Sequence, residues 1–547
     1  MLVGQSVRRV AILGGSRIPF ARAHGAYAKL DNQAMLTAAL QGLVDKYGLA
    51  GRQLGEVAAG AVMKHSKDFN LARESVLGTT LDPHTPAYDL QRACGTSLEA
   101  AIQIANKIAL GQIDCGIAAG VDTVSDTPIV YPRSYRQILM KAHRARGALA
   151  KITPFLSLRP RHFAPELPNA GEPRTGLSMG QSCERMAQRW SVSRAEQDQL
   201  AYDSHRHAAA AWQAGFYSEL VTPLAGLQRD DNVRADVSIE KLSTLRTSFD
   251  RSGAGTLTAG NSTPLTDGAA AVLLASESWA RATGLPVLAW LSFGKAAAVN
   301  FVGGEEGLLM APAYAVPAML DDAKLTLQDF DYYEIHEAFA AQVLCTLKAW
   351  ESEDFCRNRL GRERALGSID RTRLNVKGSS VAIGHPFAAT GARIIVPTGA
   401  LLGLDAVRAA AEGEVESVTI ETRKPPRGLA GAPYLEKNNI DVAAITSATR
   451  VFKGNAFDAA QGFPANVNVA AALALAGIGP DRTMVEIWAD PGVTRNTHTI
   501  RVEAATVRLT MTIENVPSEE NPRTGKITPL SILACLRGLT STLKVGS

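Results

Sequence analysis

Residues 375–405, NVKGSSVAIGHPFAATGARIIVPTGALLGLD, constrain this chain more than any other stretch. They hold a Gly-His-Pro turn at Gly384, His385 and Pro386, and directly afterwards the character of the sequence changes. A chain of 547 residues is also too long for one ordinary hydrophobic core, so at least two domains are required. The stretch therefore reads as an active-site loop, as a seam between two proteins, or as both.

Before the turn the chain alternates short apolar runs with helical periodicity. RRVAIL (residues 8–13) reads as a strand ending in Gly14-Gly15, but no GxGxxG follows and Pro19 stands where a helix would begin, which excludes a dinucleotide fingerprint. Residues 31–47 read as a helix and residues 56–63 as a buried strand. In QRACGTSLEAAIQIANKIALGQ, Thr96 or Ser97 is expected to cap a helix with Leu98, Ala101, Ile102, Ala105 and Ile108 on one face. Cys94 then sits on the turn into a helix N-terminus, where the macrodipole favours a thiolate, although context alone favours a small buried cysteine packing under a helix. Residues 115–121 form the next strand, and residues 178–217 read as helices with a capping box at Ser193 and Glu196. A Gly/Ser/Thr loop leads into a strand by residue 275, residues 312–326 are helical, residues 331–335 read as a strand, and His336 opens another helix. The repeated order of strand, reactive residue and helix suggests two similar α/β halves with an insertion between them.

Composition narrows the function. With 46% apolar and 20% charged residues the chain is globular, and a formal charge of +4 gives no general case for nucleic-acid binding. Six scattered cysteines without a CxxC pair argue against a structural zinc site and against a disulfide framework, and no metal is expected. No signal-peptide layout or membrane span is recognised, which makes the cytoplasm the default location. Residues 127–165 are locally unusual: eight Lys or Arg lie from Arg133 to Arg161, interleaved with Ile138, Leu149, Ile152 and Phe155, and no acid accompanies them. That segment reads either as a solvated basic excursion or as a patch for coenzyme phosphates, a membrane surface or a partner subunit.

Cys94, His336 and His385 each follow a buried strand, where α/β folds place reactive groups. A cysteine with two histidines suits acyl transfer through a thioester. At this point residues 1–393 resemble a thiolase of the 3-ketoacyl-CoA thiolase and acetyl-CoA acetyltransferase family, in particular the thiolase subunit of fatty-acid oxidation complexes. The likeness runs through RIPFARAHGAYAKL, the Cys94 turn, SMGQSCERMA, TAGNSTPLTDGAAAV, IHEAFAAQ and NVKGSSVAIGHPFAATGAR. It implies a thiolase fold of two α/β halves, the first over residues 1–270 with a loop domain over about 122–250, and a truncated second half over 271–393. It also implies acyl-CoA and coenzyme A as substrates, a homodimer or higher oligomer, and a fatty-acid oxidation partner subunit docked through the basic segment 133–161. By the same likeness Cys94 is the nucleophile, His385 activates it, and His336 holds a water for the oxyanion hole, histidine in place of asparagine there fitting this subfamily. One part is missing. Thiolases carry a second cysteine in a Cys-x-Gly-Gly-Gly turn near the C-terminus, and none follows Ala392; Cys535, in SILACLRG, has no glycine turn. Lys377 and Ser379 also alter the usual context before the Gly-His-Pro turn.

From about Arg393 the chain is similar instead to the C-terminal part of L-aspartate dehydrogenase, an α+β open-sheet domain over 394–547. VTIETRKPPRGLAGAPYL, VFKGNAFDAAQGFPANVNVAAALALAGIGPDRT and EIWADPGVTRNTHTIRVE carry that resemblance. It implies His498 as catalytic acid/base, Asn468 and Ala400 as contacts to a nicotinamide cofactor, and NAD(P) for this part. From the residues alone, 416–422 and 499–513 alternate as strands, 467–477 read as a buried helix and His498 as a surface residue, while the resemblance makes 397–400 a dehydrogenase turn. The Gly-rich nucleotide-binding half of such a dehydrogenase has no counterpart in residues 1–393. Three readings follow: a thiolase-type acyltransferase lacking its second catalytic cysteine, an NAD(P)-dependent aspartate dehydrogenase part completed by another chain, or an inert fusion of two truncated enzymes.

Overall fold

The computed structural model describes residues 7–168, 171–303, 306–400, 415–463, 481–493, 496–504 and 508–515. The chain divides into two compact units, one of Met1–Val287 with Leu291–Gly399 and one of Ala400–Ser547 with Leu288–Trp290.

The first unit is built on a mixed sheet of β1 (Val10–Arg17), β2 (Glu56–Ala59), β3 (Ala87–Asp89), β4 (Cys115–Asp122) and β5 (Thr266–Ser276), in spatial order β3-β2-β4-β5-β1. β2 runs parallel to β3 and β4, whereas β5 runs antiparallel to both β4 and β1. Every residue of β1, β4 and β5 is buried, which is why CGIAAGVD and TDGAAAVLLAS read as unbroken runs of small and apolar residues rather than alternating ones. Helix α1 (Asn32–Lys46) is capped by Asp31, whose side chain accepts from the Ala34 N–H, and it packs on this sheet. The antiparallel pairing places Asp122, the last residue of β4, beside Gly268 near the start of β5. The reactive loops gather at that end.

Helix α2 (Thr96–Ala109) is present, but its start differs from expectation: the N-cap residue is Gly95 and no side chain caps it. The two hydroxyls expected to cap are committed elsewhere. Thr96 Oγ1 donates back to the Ala93 carbonyl (2.7 Å) and accepts from the Arg92 N–H (2.9 Å), while Ser97 Oγ accepts from the Ala392 N–H (2.8 Å). Of the expected face, Ala101, Ala105 and Ile108 are buried, but Leu98 is exposed and Ala100 and Ile104 are buried beside them. Helix α3 (Arg133–Arg144) carries the basic segment, and around it Leu149, Leu156 and Ile152 are 82%, 79% and 60% exposed. Helices α4 (Met179–Arg189) and α5 (Arg194–Gln213) follow, the second with the expected box: Ser193 Oγ accepts from the Glu196 N–H and the Glu196 carboxylate from the Ser193 N–H.

The second half departs most from the repeat read in the sequence. Residues 331–335 do not form a strand; Tyr333 makes a single parallel bridge to Leu374. Helix α6 (Ala311–Ala323) is present, but α7 (Ala340–Glu351) begins four residues after His336, which lies on the connecting segment. The physical reason is the absence of neighbours among the described residues: a parallel pair gains its stability from further strands on either side, and beyond the Tyr333–Leu374 bridge none pairs with 331–335 there. The half is held by side-chain packing, with Met310, Ala341, Leu344 and Cys345 in one cluster and Leu320, Val343, Leu347 and Trp350 in another. Short helix α8 (Ser380–Ile383) precedes the Gly-His-Pro turn, and α9 (Thr390–Ala400) follows it. The turn expected at 397–400 is therefore helix, α9 continuing through Pro397 to Ala400.

The second unit contains an open five-stranded sheet of β6 (Val415–Lys424), β7 (Thr449–Asn455), β8 (Thr483–Ala489), β9 (Asn496–Ala504) and β10 (Arg508–Asn515), in order β10-β9-β6-β8-β7. Only the β6–β8 pair is parallel. The strands expected at 416–422 and 499–513 are β6 and the β9–β10 pair, whereas the helix expected at 467–477 lies outside the described residues. Val418, Ile420, Leu435, Phe452, Phe463, Val485 and Ile487 form the core of this unit. No helix among the described residues is long and apolar enough to cross a membrane.

Candidate active site

Cys94 stands on a tight turn. The preceding residue, Ala93, has φ 42°, a left-handed conformation uncommon for any residue with a Cβ, and the Thr96 hydroxyl braces the turn from inside. The turn is further fixed by α9. A Cβ on Gly391 would lie 2.3 Å from the Leu98 nitrogen, so the first turns of α2 and α9 pack backbone to backbone, and the Ser97 to Ala392 bond locks the contact.

His385 is held from three sides. It bridges to Leu265, its N–H donates to Thr266 Oγ1 (2.6 Å), and Nδ1 pairs with Thr390 Oγ1 (2.6 Å). The loop after it is carried on Asp122, whose carboxylate accepts from the Ala388 N–H (2.7 Å) and from the Val62 and Met63 N–H groups (2.9 and 2.8 Å). Beneath this loop Gly120 has no substitute: a Cβ there would lie 2.1 Å from the Ala388 carbonyl oxygen. Burial pushes the Asp122 carboxyl up to about 6 against the pull of those three amides. Asp122 thus ties the end of β4, the end of β2 and the Gly-His-Pro loop into one body.

His336 is positioned by a side chain that replaces a missing ladder. Asn375, itself at φ 47°, accepts from the Ile335 N–H through Oδ1 (2.8 Å) and donates to the Ile335 carbonyl through Nδ2 (2.9 Å). Buried Glu337 accepts from Ser204 Oγ (2.7 Å), Asn375 Nδ2 (2.7 Å) and the Val381 N–H. His336 Nδ1 then meets Ser380 Oγ at 2.8 Å.

These three segments converge. Cys94 Sγ and one nitrogen from each of His336 and His385 lie within 4.8 Å of one another, and the two imidazole rings are 4.1 Å apart between centroids. Both Nε2 atoms are buried without a hydrogen-bond partner. Burial, and secondarily the nearby Arg393 guanidinium, pull His336 down to about 3. Burial, His336 and Arg393 pull His385 well below its usual value, so both rings are neutral near pH 7. Arg393 is itself fully buried and donates to Ser379 Oγ (3.1 Å) and Ser380 Oγ (2.9 Å).

The hydrogen-bond partners assign opposite tautomers to the two rings. Ser380 Oγ already accepts from Arg393, so its own hydrogen faces His336 Nδ1 and the ring proton of His336 sits on Nε2. Thr390 Oγ1 lies 3.5 Å from the Pro386 carbonyl, toward which its hydrogen points, so it accepts from His385 Nδ1–H and leaves a lone pair on His385 Nε2. One ring offers a donor and the other a base.

The thiolate expected at the helix N-terminus is not what the surroundings favour. Desolvation, with Asp122 adding to it, pushes the Cys94 thiol up to about 12. The residue is exposed, so water tempers this rise, and its upward direction is what the chemistry uses. Alkylation of Cys94 by iodoacetamide should accordingly climb about tenfold per pH unit from pH 7 to 9, because the thiolate fraction does so below the pKa. Peptide mass spectrometry of timed samples checks this, and a rate already flat at neutral pH would mean a preformed thiolate–imidazolium pair.

The other expected site residues lie elsewhere. His498 is on β9 in the second unit, opposite Thr422 of β6 and Ile513 of β10. Ala400 is the last residue of α9, and Asn468 and Cys535 fall outside the described residues. Cys183, Cys345 and Cys356 belong to one apolar cluster, and Cys115 is buried in β4. Asp122, Asn375, Ser380, Thr390 and Arg393 shape the site without having been singled out. An acid closing an apolar strand and an arginine inside an apolar helix were the two available signals.

A cysteine beside two neutral imidazoles at the loop end of an α/β sheet is an arrangement suited to acyl transfer through a cysteine thioester. Residues 10–278 match the thiolase N-terminal domain and residues 291–411 the thiolase C-terminal domain, and the chain belongs to the thiolase family. Among its relatives, the 3-ketoacyl-CoA thiolase of Pectobacterium atrosepticum is 42% identical over 396 residues, covering 71% of this chain and 90% of that protein. The 3-ketoacyl-CoA thiolase of Yersinia pestis is 41% identical over 403 residues, covering 73% and 92%. The crystal structure of Bacillus anthracis acetyl-CoA acetyltransferase aligns with TM-score 0.58 at 27% identity, over 72% of this chain and 92% of that one. Human mitochondrial 3-ketoacyl-CoA thiolase shares the fold at TM-score 0.58 and 22% identity, over 76% and 95%. Residues 405–539 match the aspartate dehydrogenase C-terminal family.

Proposed function

We propose that this chain carries out the acyl-accepting half of thiolase chemistry on acetyl-CoA or a 3-ketoacyl-CoA. The convergence of Cys94 Sγ and two buried imidazoles, drawn from positions 94, 336 and 385, carries the reading. Cys94 Sγ attacks the thioester carbonyl as His385 Nε2 takes the thiol proton, so that charge develops only when the bond forms. His336 Nε2–H faces the developing oxyanion. The carbonyl re-forms, the C–S bond to coenzyme A breaks, and His385 returns the proton to the departing thiol. With acetyl-CoA the products are an acetyl-Cys94 thioester and free coenzyme A; with a 3-ketoacyl-CoA the attack falls on the 3-keto carbon, the C2–C3 bond breaks, and the departing acetyl-CoA carbanion takes the proton.

The step after this is weak in this chain. The family's second cysteine and its glycine turn are absent from the sequence, which removes an acid/base worth about 10²–10⁴ in rate and an oxyanion donor worth about 10²–10³. Incubation with acetyl-CoA should therefore give one equivalent of free thiol, acetyl mass on Cys94 alone, and little turnover beyond it. Intact-protein mass spectrometry after a short incubation tests this, and an unmodified Cys94 with no thiol released would end the proposal.

Finer assignments belong to the same proposal. The thiolase halves are taken as 1–270 and 271–393 with a dehydrogenase-like domain over 394–547, the location as cytoplasmic, and the protein as a homodimer or higher oligomer. The exposed Leu149, Ile152 and Leu156 among the cations of 133–161 support contact with a fatty-acid oxidation partner subunit. For the C-terminal part, His498 and Asn468 would serve NAD(P) chemistry only with a nucleotide-binding half supplied by another chain.

A further inference from the structure

We propose that Cys94 Sγ, His336 Nε2 and His385 Nε2 form a three-ligand site for a borderline-soft divalent cation of the zinc class, with a fourth position open toward solvent.

The geometry is close to what such an ion needs. Tetrahedral zinc with Zn–S of about 2.3 Å and Zn–N of about 2.0 Å sets its ligands roughly 3.3–3.7 Å apart. Cys94 Sγ and one ring nitrogen from each histidine already lie within 4.8 Å of one another, and Cys94 is exposed, so a small side-chain movement completes the closure. His385 is 3% exposed and its Nε2 has no partner, and His336 Nε2 is likewise buried and unpaired. Buried nitrogens left without a partner are costly unless something fills the position they face. Each ring is also held through its other nitrogen by a hydroxyl, Ser380 for His336 and Thr390 for His385, which is the support that orients imidazoles toward a metal.

Binding has a definite proton balance. Cys94–SH loses its proton to solvent, and the thiolate takes one positive charge of the ion. His336 moves its proton from Nε2 to Nδ1, where Ser380 Oγ has a second lone pair to accept it. Asp122 favours a cation near Cys94, while Arg393 opposes one near the rings, so the net attraction comes mainly from the thiolate formed on binding. The absence of a CxxC pair does not bear on this site, because its ligands come from three distant segments.

A metal held there occupies the nucleophile and the base together. That inhibitory consequence rests on the acyl-transfer reading, whereas occupancy of the site does not.

Cobalt(II) chloride titrated into the full chain tests occupancy directly. One equivalent should produce a thiolate-to-cobalt absorption in the near ultraviolet with visible bands of tetrahedral intensity, displaced by zinc chloride. Cys94→Ser should abolish the near-ultraviolet band, and His385→Ala or His336→Ala should weaken binding at least about tenfold. If a variant fails to fold, the unmodified protein still decides: zinc should slow iodoacetamide alkylation of Cys94 at least tenfold, reversed by a chelator. Bands that never form, bands that survive in Cys94→Ser, or alkylation unaffected by zinc would each overturn the proposal.

Discussion

A Cys94→Ala variant incubated with acetyl-CoA should form no acyl-enzyme and should release coenzyme A on the order of 10⁴-fold more slowly than the unchanged chain, the scale of removing a nucleophile that acts as one unit with its base. The fold should survive. Cys94 is exposed, and the turn that carries it is held by Thr96, Ser97 and the backbone contact at Gly391 rather than by the sulfur. Quenched-flow detection of free thiol, with circular dichroism to verify folding, makes the comparison. Equal release from both proteins would show that some other group carries the acyl chain.

His385→Ala should slow acetylation of Cys94 by about 10²–10⁴. The thiol is held up by desolvation and Asp122, so little thiolate exists at neutral pH to act unaided. Loss of the base should therefore steepen the pH dependence. The unchanged chain should be flat from about pH 6 to 8, because His385 is neutral throughout and takes the proton only during the step. The variant should instead rise about tenfold per pH unit with the thiolate fraction. Added imidazole should restore part of the rate. A variant with a flat profile and an unchanged rate would remove His385 from the role of base and leave it as support for the loop.

The two histidines differ in how far they could be placed beforehand. His385 sits in a local signature, a glycine at φ 110° before it and a proline after it, so its turn was legible from three consecutive residues. His336 was assigned to a helix start after a strand, and neither element forms there. The run 331–335 has the composition of a strand, but a strand requires partners, and among the described residues Tyr333 bridges only to Leu374. Asn375 supplies from its side chain the two hydrogen bonds that a neighbouring strand would have made. The capping error at Thr96 and Ser97 has the same origin. Local preference pointed to a cap, and the hydroxyls were taken by Ala93 and by Ala392, the second nearly three hundred residues away in sequence.

Sequence by itself determined the chain's division into a thiolase part and a dehydrogenase-like part, the apolar runs that became β1, β4 and β5, the capping box of α5, the candidate cysteine and histidines, and the absence of a second Cys-x-Gly-Gly-Gly turn. Each is written in a few adjacent residues, where periodicity, turn chemistry or a short motif suffices. Only the tertiary structure decided that Asp122 and Gly120 carry the Gly-His-Pro loop, that Arg393 and Ser380 set the proton on His336, that the Cys94 thiol is raised rather than lowered, and that three distant segments bring one sulfur and one nitrogen of each imidazole together. Those properties depend on desolvation and on contacts between residues far apart in the chain, and neither has a local signature.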